Sequence, residues 1–388
     1  RKSTRVINII SMITAFAMAV GAGALIIVMS TFNGFEDLVK SLYKVFYTDL
    51  VILPAEGKFF ETDGDFLQKL DSTQGIISYS QVLEENVLAE YQGRQSIVTM
   101  KGVDDNYYKV VDDLDNYLYN GSLDLKYEGA PLAVLGSGIA YRLGVNLMMP
   151  NTVLTFYMPR SDKSALNDVA NAFKSDQIYA HGIFAVQQDF DDKYILVPID
   201  FAKNLMEMPS KISSIEIKLE KNVAPEKIQT LLQKKLGSKF TVQTRYQQNA
   251  TLYKVMKTEK WAVFAILSFI VLIAAFNIIG SLSMLVIEKK QDIATLRALG
   301  ADKNTIQNIF LIEGLLISFL GAFIGLALGT IFCLLQIHIG LIKMPGSSFM
   351  VQYYPVKMQL EDFVLIAFII ITISIIMAWL PARRAVQQ

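Results

Sequence analysis

The sequence predicts an α-helical membrane protein with four transmembrane helices and one large α+β domain outside the membrane, and three observations carry that prediction. Hydrophobic residues make up 52% of 388 residues, more than a water-soluble chain of this length needs for its core. Many of them are gathered into four runs that reach the roughly 20 residues a helix needs to cross a hydrocarbon core about 30 Å thick. The formal net charge of +0 averages two regions of opposite sign: residues 36–260 hold 25 Lys+Arg against 30 Asp+Glu, and the remainder holds 11 against 6. Basic flanks on apolar runs mark cytoplasmic loops, and a mildly acidic middle suits a solvated domain that binds no nucleic acid. Transport or signalling across a membrane is the class these features favour.

The first run lies within residues 1–35 and is uncharged from 6 to 35; it is too long for a cleavable signal peptide and is expected to stay as an anchor. The second covers 261–287. The third covers 305–342, with Glu313 in its early turns, and the fourth lies within 362–388. An ionisable group such as Glu313 at this depth is costly and pairs, faces protein or reaches water. Positive residues set the orientation: Arg1, Lys2 and Arg5 precede run one, Lys289, Lys290, Arg297 and Lys303 follow run two, and Arg383 and Arg384 follow run four. Both termini and the 288–304 loop are therefore expected in the cytoplasm. Residues 36–260 and the 343–361 loop are expected outside, which in a Gram-negative cell is the periplasm.

The outer domain mixes strand and helix patterns. Ser214–Leu219 places Ile215, Ile217 and Leu219 on one strand face. Pro225 then opens a helix whose ladder is Ile228, Leu231, Leu232 and Leu236, Gly237 stops it, and Phe240–Thr244 is a second strand. The same β-α-β grammar is expected over 49–53, 66–70 and 76–82. Residues 86–91 and 95–103 read as hairpin arms around Gln92-Gly93. A core of about 36–115 plus 195–260, with an inserted β-rich subdomain of about 116–194, follows from this pattern. Inside the insertion, strands at 153–158 and 178–186 are joined by 159–177, which holds either a small helix over 166–173 or a protruding loop.

Several chemistries find no support. No Gly-rich loop ending in Gly-Lys-Ser/Thr is present, so the chain lacks the phosphate cradle of an ATPase. His181 and His338 are the only histidines, too few and too far apart for a zinc site or a His-based triad. The clusters Asp112-Asp113-Asp115 and Asp189-Asp191-Asp192 lack the glycine and closing glutamate of a calcium loop. Cys333 is alone in an apolar run and reads as a buried reduced thiol. No catalytic residue and no metal ligand is assigned. Gly321, Gly325 and Gly329, four apart, leave bare backbone on one helix face, which serves close helix packing or sliding of that helix.

The 288–304 loop is rich in helix formers, with Ile293, Leu296 and Gly300 along one side; Gly300 can end a helix and Asp302 start the next. Such an amphipathic helix between two spans serves as a lever for a soluble motor or as an interfacial anchor.

Here the residues become recognisable. Glu288-Lys289-Lys290-x-Asp292-Ile293-Ala294-x-Leu296-Arg297-Ala298-Leu299-Gly300-Ala301, followed by Ile309-Phe310 and Glu313-Gly314, resembles the signature of FtsX/MacB-type ABC permeases. Asn8-Ile9-Ile10-Ser11, Met29-Ser30-Thr31-Phe32-Asn33-Gly34-Phe35-Glu36, Phe276-Asn277-Ile278-Ile279, Tyr354-Pro355-Val356 and Pro381-Ala382-Arg383-Arg384-Ala385 bring it nearest to the LolC/LolE lipoprotein-releasing branch. The resemblance implies a MacB-like porter domain and a non-catalytic subunit that transmits force to extract outer-membrane-destined lipoproteins. MacB-like efflux and FtsX-like signalling to cell-wall hydrolases are the alternatives. It implies no cofactor in this chain, with ATP and Mg bound by a LolD-like ATPase dimer. The further partners it implies are a second permease copy or paralogue, acylated lipoproteins, membrane lipid and a LolA-like periplasmic carrier.

Residue by residue, the resemblance implies ATPase coupling through Glu288, Lys289, Asp292, Ile293, Leu296, Arg297 and Gly300. Shelter for acyl chains is expected from Met18, Ala22, Ile26, Met29 and Phe32 with Phe264 and Leu267, and a carrier dock from Pro159, Arg160, Lys163 and Phe173. The family usually starts a few dozen residues earlier and continues past Pro-Ala-Arg-Arg, so both ends are expected to be cut.

Overall fold

In a computed structural model the described residues are 3–111, 113–149, 152–160, 172–344 and 353–385. The chain opens with α1 (Ser3–Tyr43), β1 (Leu50–Pro54), β2 (Phe60–Glu61), α2 (Gly64–Asp71), β3 (Ile76–Tyr91), β4 (Arg94–Val103) and α3 (Tyr107–Val110). It continues with β5 (Leu118–Gly121), β6 (Lys126–Tyr127), β7 (Ala130–Gly136), α4 (Ser137–Leu143), β8 (Val153–Pro159), β9 (Phe173–Phe184), α5 (Gln188–Asp191), β10 (Tyr194–Pro198) and α6 (Ile199–Leu205). Then come β11 (Lys211–Ile212), β12 (Ser214–Leu219), α7 (Pro225–Leu236), β13 (Phe240–Thr244) and α8 (Arg245–Gln248). The long helices α9 (Ala250–Glu288), α11 (Lys303–Ile339) and α12 (Leu360–Ala385), with the short α10 (Lys290–Ala298), complete it. Two compact units result, one of Lys40–Tyr253 and one of Arg1–Val39 with Lys254–Gln388.

In the Lys40–Tyr253 unit, both β-α-β patterns form, but neither has its strands side by side. The order β13-β1-β12-β3 inserts β12 between β1 and β3, and β1 between β12 and β13. This is the split β-α-β-β-α-β arrangement, with α2 and α7 supplying Phe66, Leu70, Ile228 and Leu232 to the core formed with Ile215 and Ile217. Pro225 at the start of α7 and Gly237 (φ +76°) at its end act as read from the sequence. The hairpin β3/β4 turns at Gln92 (φ +50°) and Gly93 (φ +81°), both left-handed, as a two-residue turn of the primed kind requires.

The insertion is a continuation of the same sheet. Strand β3, 16 residues long, pairs with β12 near its start and with β8 near its end, and the circuit β3-β4-β10-β7-β9-β8 returns to β3 as a closed ring. The ring closes on itself, with β5 as an edge strand on β9, and Ala89, Met100, Leu135, Phe156, Ile178 and Ile195 contribute to its filling. The positions 116 and 194 thus fall beside β5 and at β10, inside one sheet. The β8/β9 arms are longer than the sequence pattern predicts, pairing out to Pro159 with Phe173, so residue 173 is strand and not helix. Lys163 and most of the 166–173 helix alternative lie outside the described residues.

Among the described residues of the other unit, four helices are long and apolar enough to cross a membrane. Helix α1 has 41 residues and α9 has 39, so at about 1.5 Å per residue each is near 60 Å, about twice the hydrocarbon thickness. Charge begins at Glu36 and ends at Lys260, but the helices do not stop there. Composition marks where lipid compatibility ends, and helix formers such as Leu38, Lys40, Met256 and Lys257 carry the backbone hydrogen-bond ladder on.

Candidate functional site

The membrane helices pack through their small residues. A Cβ added at Gly321 would fall on the Ala15 carbonyl oxygen and one at Gly325 on that of Ala19. One at Gly329 would strike the Ile26 side chain and lie 3.1 Å from the Gly23 carbonyl oxygen. The three glycines therefore bring α11 into backbone contact with α1.

That close packing determines what becomes of the residues expected to shelter acyl chains. Met18, Ala22 and Ile26 are fully buried, Met29 and Phe264 are nearly so, and all belong to the packed helix core, with Leu267 against its edge. Phe32, one of the seven, lines a cleft of about 400 Å³ between α1 and α9. Its apolar wall is Val28, Phe32, Phe35 and Val39 with Met256, and Glu36, Glu259 and Lys260 are its charged lining. The stripe 28-32-35-39 has the same four-three-four spacing as a helix face should. Sequence reading missed Val39 and Met256 because it ended the spans at 35 and 261, and it passed over Val28 and Phe35 inside the first run; the stripe continuing past Phe35 was the available signal.

At the opposite end of α9 the chain makes a short helix between two long ones. Lys289 caps α10, Gly300 (φ +92°) turns the chain, and the Asp302 carboxylate accepts the Thr305 N–H at 2.9 Å to start α11. Ile293 is buried against the helix core and anchors α10. Lys289 and Asp292 form an exposed ion pair at 3.0 Å, which holds the lysine above its ordinary value. Glu288 closes α9 and Arg297 lies in the last turn of α10. Leu296 is half-exposed and Leu299 is 79% exposed, two apolar side chains of one segment that this chain leaves uncovered. Leu299 was not singled out from the sequence, because it lies between the helix pattern and its glycine stop.

Pro159, Arg160 and Phe173 come together at the end of the β8/β9 arms, where the Arg160 N–H donates to the Ala172 carbonyl at 2.9 Å and Phe173 is exposed. The acidic run at 189–192 is used internally: Asp189 accepts the Tyr43 hydroxyl at 3.0 Å, Asp191 accepts the Val186 N–H at 2.9 Å, and Asp192 pairs with Arg142 at 3.0 Å.

Residues 264–388 match the family model described as FtsX-like permease C-terminal. Residues 11–235, more than half of the chain, match the one described as MacB-like periplasmic core domain. The chain belongs to the MacB/FtsX family of ABC transporter permeases. Among curated relatives, this permease is 25% identical over 401 residues to "Lipoprotein-releasing system transmembrane protein LolC" of Neisseria meningitidis serogroup B. It is 23% identical over 397 residues to the LolE protein of the same system in Haemophilus influenzae. Each alignment covers 99% of this chain and 94% of the relative. The crystal structure of the periplasmic region of MacB from Actinobacillus actinomycetemcomitans aligns with a TM-score of 0.38 and 13% identity, over 56% of this permease and 98% of that chain. The matched periplasmic core model and the four long apolar helices make the fold class a four-helix membrane permease with a MacB-like periplasmic domain.

Proposed function

We propose that this permease extracts acylated lipoproteins from the inner membrane and hands them to a periplasmic carrier, as the force-transmitting subunit of an ABC transporter. The observation that carries the proposal is the pairing of an apolar cleft with the two helices, α1 and α9, that form its walls and extend far beyond a bilayer's thickness. Moving three acyl chains through water costs tens of kcal/mol, at about 0.8 kcal/mol per CH₂, so a protein surface must shelter them. The cleft falls in the ~300–1,000 Å³ range of small-ligand sites, with an apolar wall suited to an acyl chain.

ATP and Mg belong to a partner ATPase that docks on α10 with Leu296 and Leu299 in its groove. Closure of that ATPase pushes α10, and α9 and α11, which flank it in the chain, carry the displacement outward. Both termini and α10 then lie in the cytoplasm, with the Lys40–Tyr253 unit in the periplasm. A second permease, either another copy or a paralogue, completes the transporter. The names of the LolC and LolE relatives support this cargo over the alternatives of efflux and signalling.

Depletion of the permease in cells, followed by release of newly acylated lipoproteins from spheroplasts to added carrier, tests the reading. Lipoproteins retained in the inner membrane are the expected result. Unchanged release, with a drug-export or cell-separation defect, would replace lipoprotein extraction by one of the other two activities.

A further inference from the structure

A buried polar knot ties the outer ends of three membrane helices beside the cleft. Asn33 of α1 is fully buried, and both ends of its amide are engaged. Its oxygen accepts from the Lys260 ammonium of α9 at 2.6 Å. Its nitrogen donates to the Asp362 carboxylate in the first turn of α12 and to the Lys357 carbonyl at 3.3 Å. Lys260 also lies 3.8 Å from Asp362, whose side chain is itself buried. The chain just before α12 is strapped onto α1 by further contacts. The Lys357 N–H donates to the Ser30 carbonyl at 2.9 Å, its ammonium pairs with Asp37 at 2.6 Å, and Tyr354 meets Phe35 edge to face at 5.8 Å.

Lys260 is the one member of the knot that also lines the cleft. The Lys260 to Asn33 bond runs from α9 to α1, the two helices whose separation sets the cleft's width. It is charge-assisted and part-buried, with Asn33 fully buried and Lys260 partly so, and a charge-assisted hydrogen bond is about twice as strong as a neutral one. Because Asp362 belongs to α12, the bond's strength depends on where that helix begins: drawing the carboxylate away removes the buried counter-charge and leaves the ammonium better solvated outside.

We propose that Asn33, Lys260 and Asp362 are positioning residues that clamp α1 to α9, and that the cleft widens to admit an acyl-bearing ligand when the Lys260 ammonium leaves Asn33. This rests on the reading of the cleft as an acyl-chain site, and it assigns α12 the role of release.

The test uses the full chain in lipid nanodiscs, with Cys333→Ala and spin labels at Val39→Cys and Met256→Cys across the cleft. Pulsed spin-label distances give the α1 to α9 separation, and binding of a fluorescent triacylated lipopeptide to the same variants without cysteines or labels at 39 and 256 gives the cleft's occupancy. Single removal of Lys260 leaves the Asp362 carboxylate buried without a cation, so the informative variant is Lys260→Met with Asp362→Asn, which removes both charges. The clamp requires a longer, broader distance in this variant and a rise of about tenfold in the lipopeptide association rate, the size of one lost charge-assisted hydrogen bond. Lys260→Arg should restore the short distance. An unchanged distance in the double variant overturns the clamp. A longer distance with no lipopeptide binding in any variant upholds the clamp and overturns the acyl reading of the cleft.

Discussion

Lys101 shows how a single side chain holds the periplasmic sheet together. It is buried on β4, on the sheet face away from α2 and α7, with its ammonium 2.6 Å from Glu216 of β12 and 3.1 Å from Glu84 of β3. The rings of Tyr107 and Tyr194 lie 5.2 and 5.7 Å from it. Burial opposes its charge, but Glu216, Tyr107 and Glu84 outweigh that and hold it well above the ordinary lysine value. Lys101→Met would leave Glu216 buried without its cation, and we expect a loss of about 3–5 kcal/mol. Adding Glu216→Gln should return most of it. Amide exchange of β4 and β12 in the solubilised chain measures both.

Asp191 gives a pH dependence of definite sign. Burial pushes its carboxyl up to about 6 from 3.8, against the hydrogen bonds it accepts from Val186, Gln187 and Ser137. The folded state therefore keeps this proton between those values while the unfolded chain has lost it. The stability contributed is present at low pH and declines as pH rises from about 4 to 6, by at most about 3 kcal/mol. Protection of the amides around Val186 should follow that decline, and Asp191→Asn should abolish it.

At the scale of elements, α10 and the glycine face of α11 carry the sharpest expectations. Burying a leucine in a partner's groove contributes roughly 1.5–3 kcal/mol. Leu299→Asp should therefore weaken copurification of the ATPase by about tenfold or more, leaving α10 itself intact because Ile293 remains its anchor. Gly325→Leu drives a side chain into the Ala19 backbone and should reduce the amount of folded permease recovered from membranes. Elements of this kind were legible in the sequence, because caps, glycine stops and 3.6-residue periodicity are local. Strand partners were not: the patterns of β1, β12 and β13 name three strands, but their interleaved order arises from packing α2 and α7 on one face. The cleft was illegible for a related reason. Met18 and Phe32 look equally apolar in sequence, and only the approach of α11 to α1, through Gly321 and Gly325, buries the first and spares the second.

For the whole molecule, both divisions between the two compact units fall inside unbroken helices, at 39/40 in α1 and at 253/254 in α9. Neither helix has a glycine or proline at the crossing, and on the proposed reading these helices are the route along which force would pass. That account stands on α10 and the Lys40–Tyr253 unit lying on opposite faces of the membrane. The direct measurement places single cysteines at Leu299, 79% exposed beyond the end of α10, and at Tyr141, 87% exposed in the outer unit, and labels intact spheroplasts with a membrane-impermeant thiol reagent. Labelling of Tyr141→Cys at once, and of Leu299→Cys only after the membrane is opened, is the expected result. Equal labelling of both before opening would contradict it.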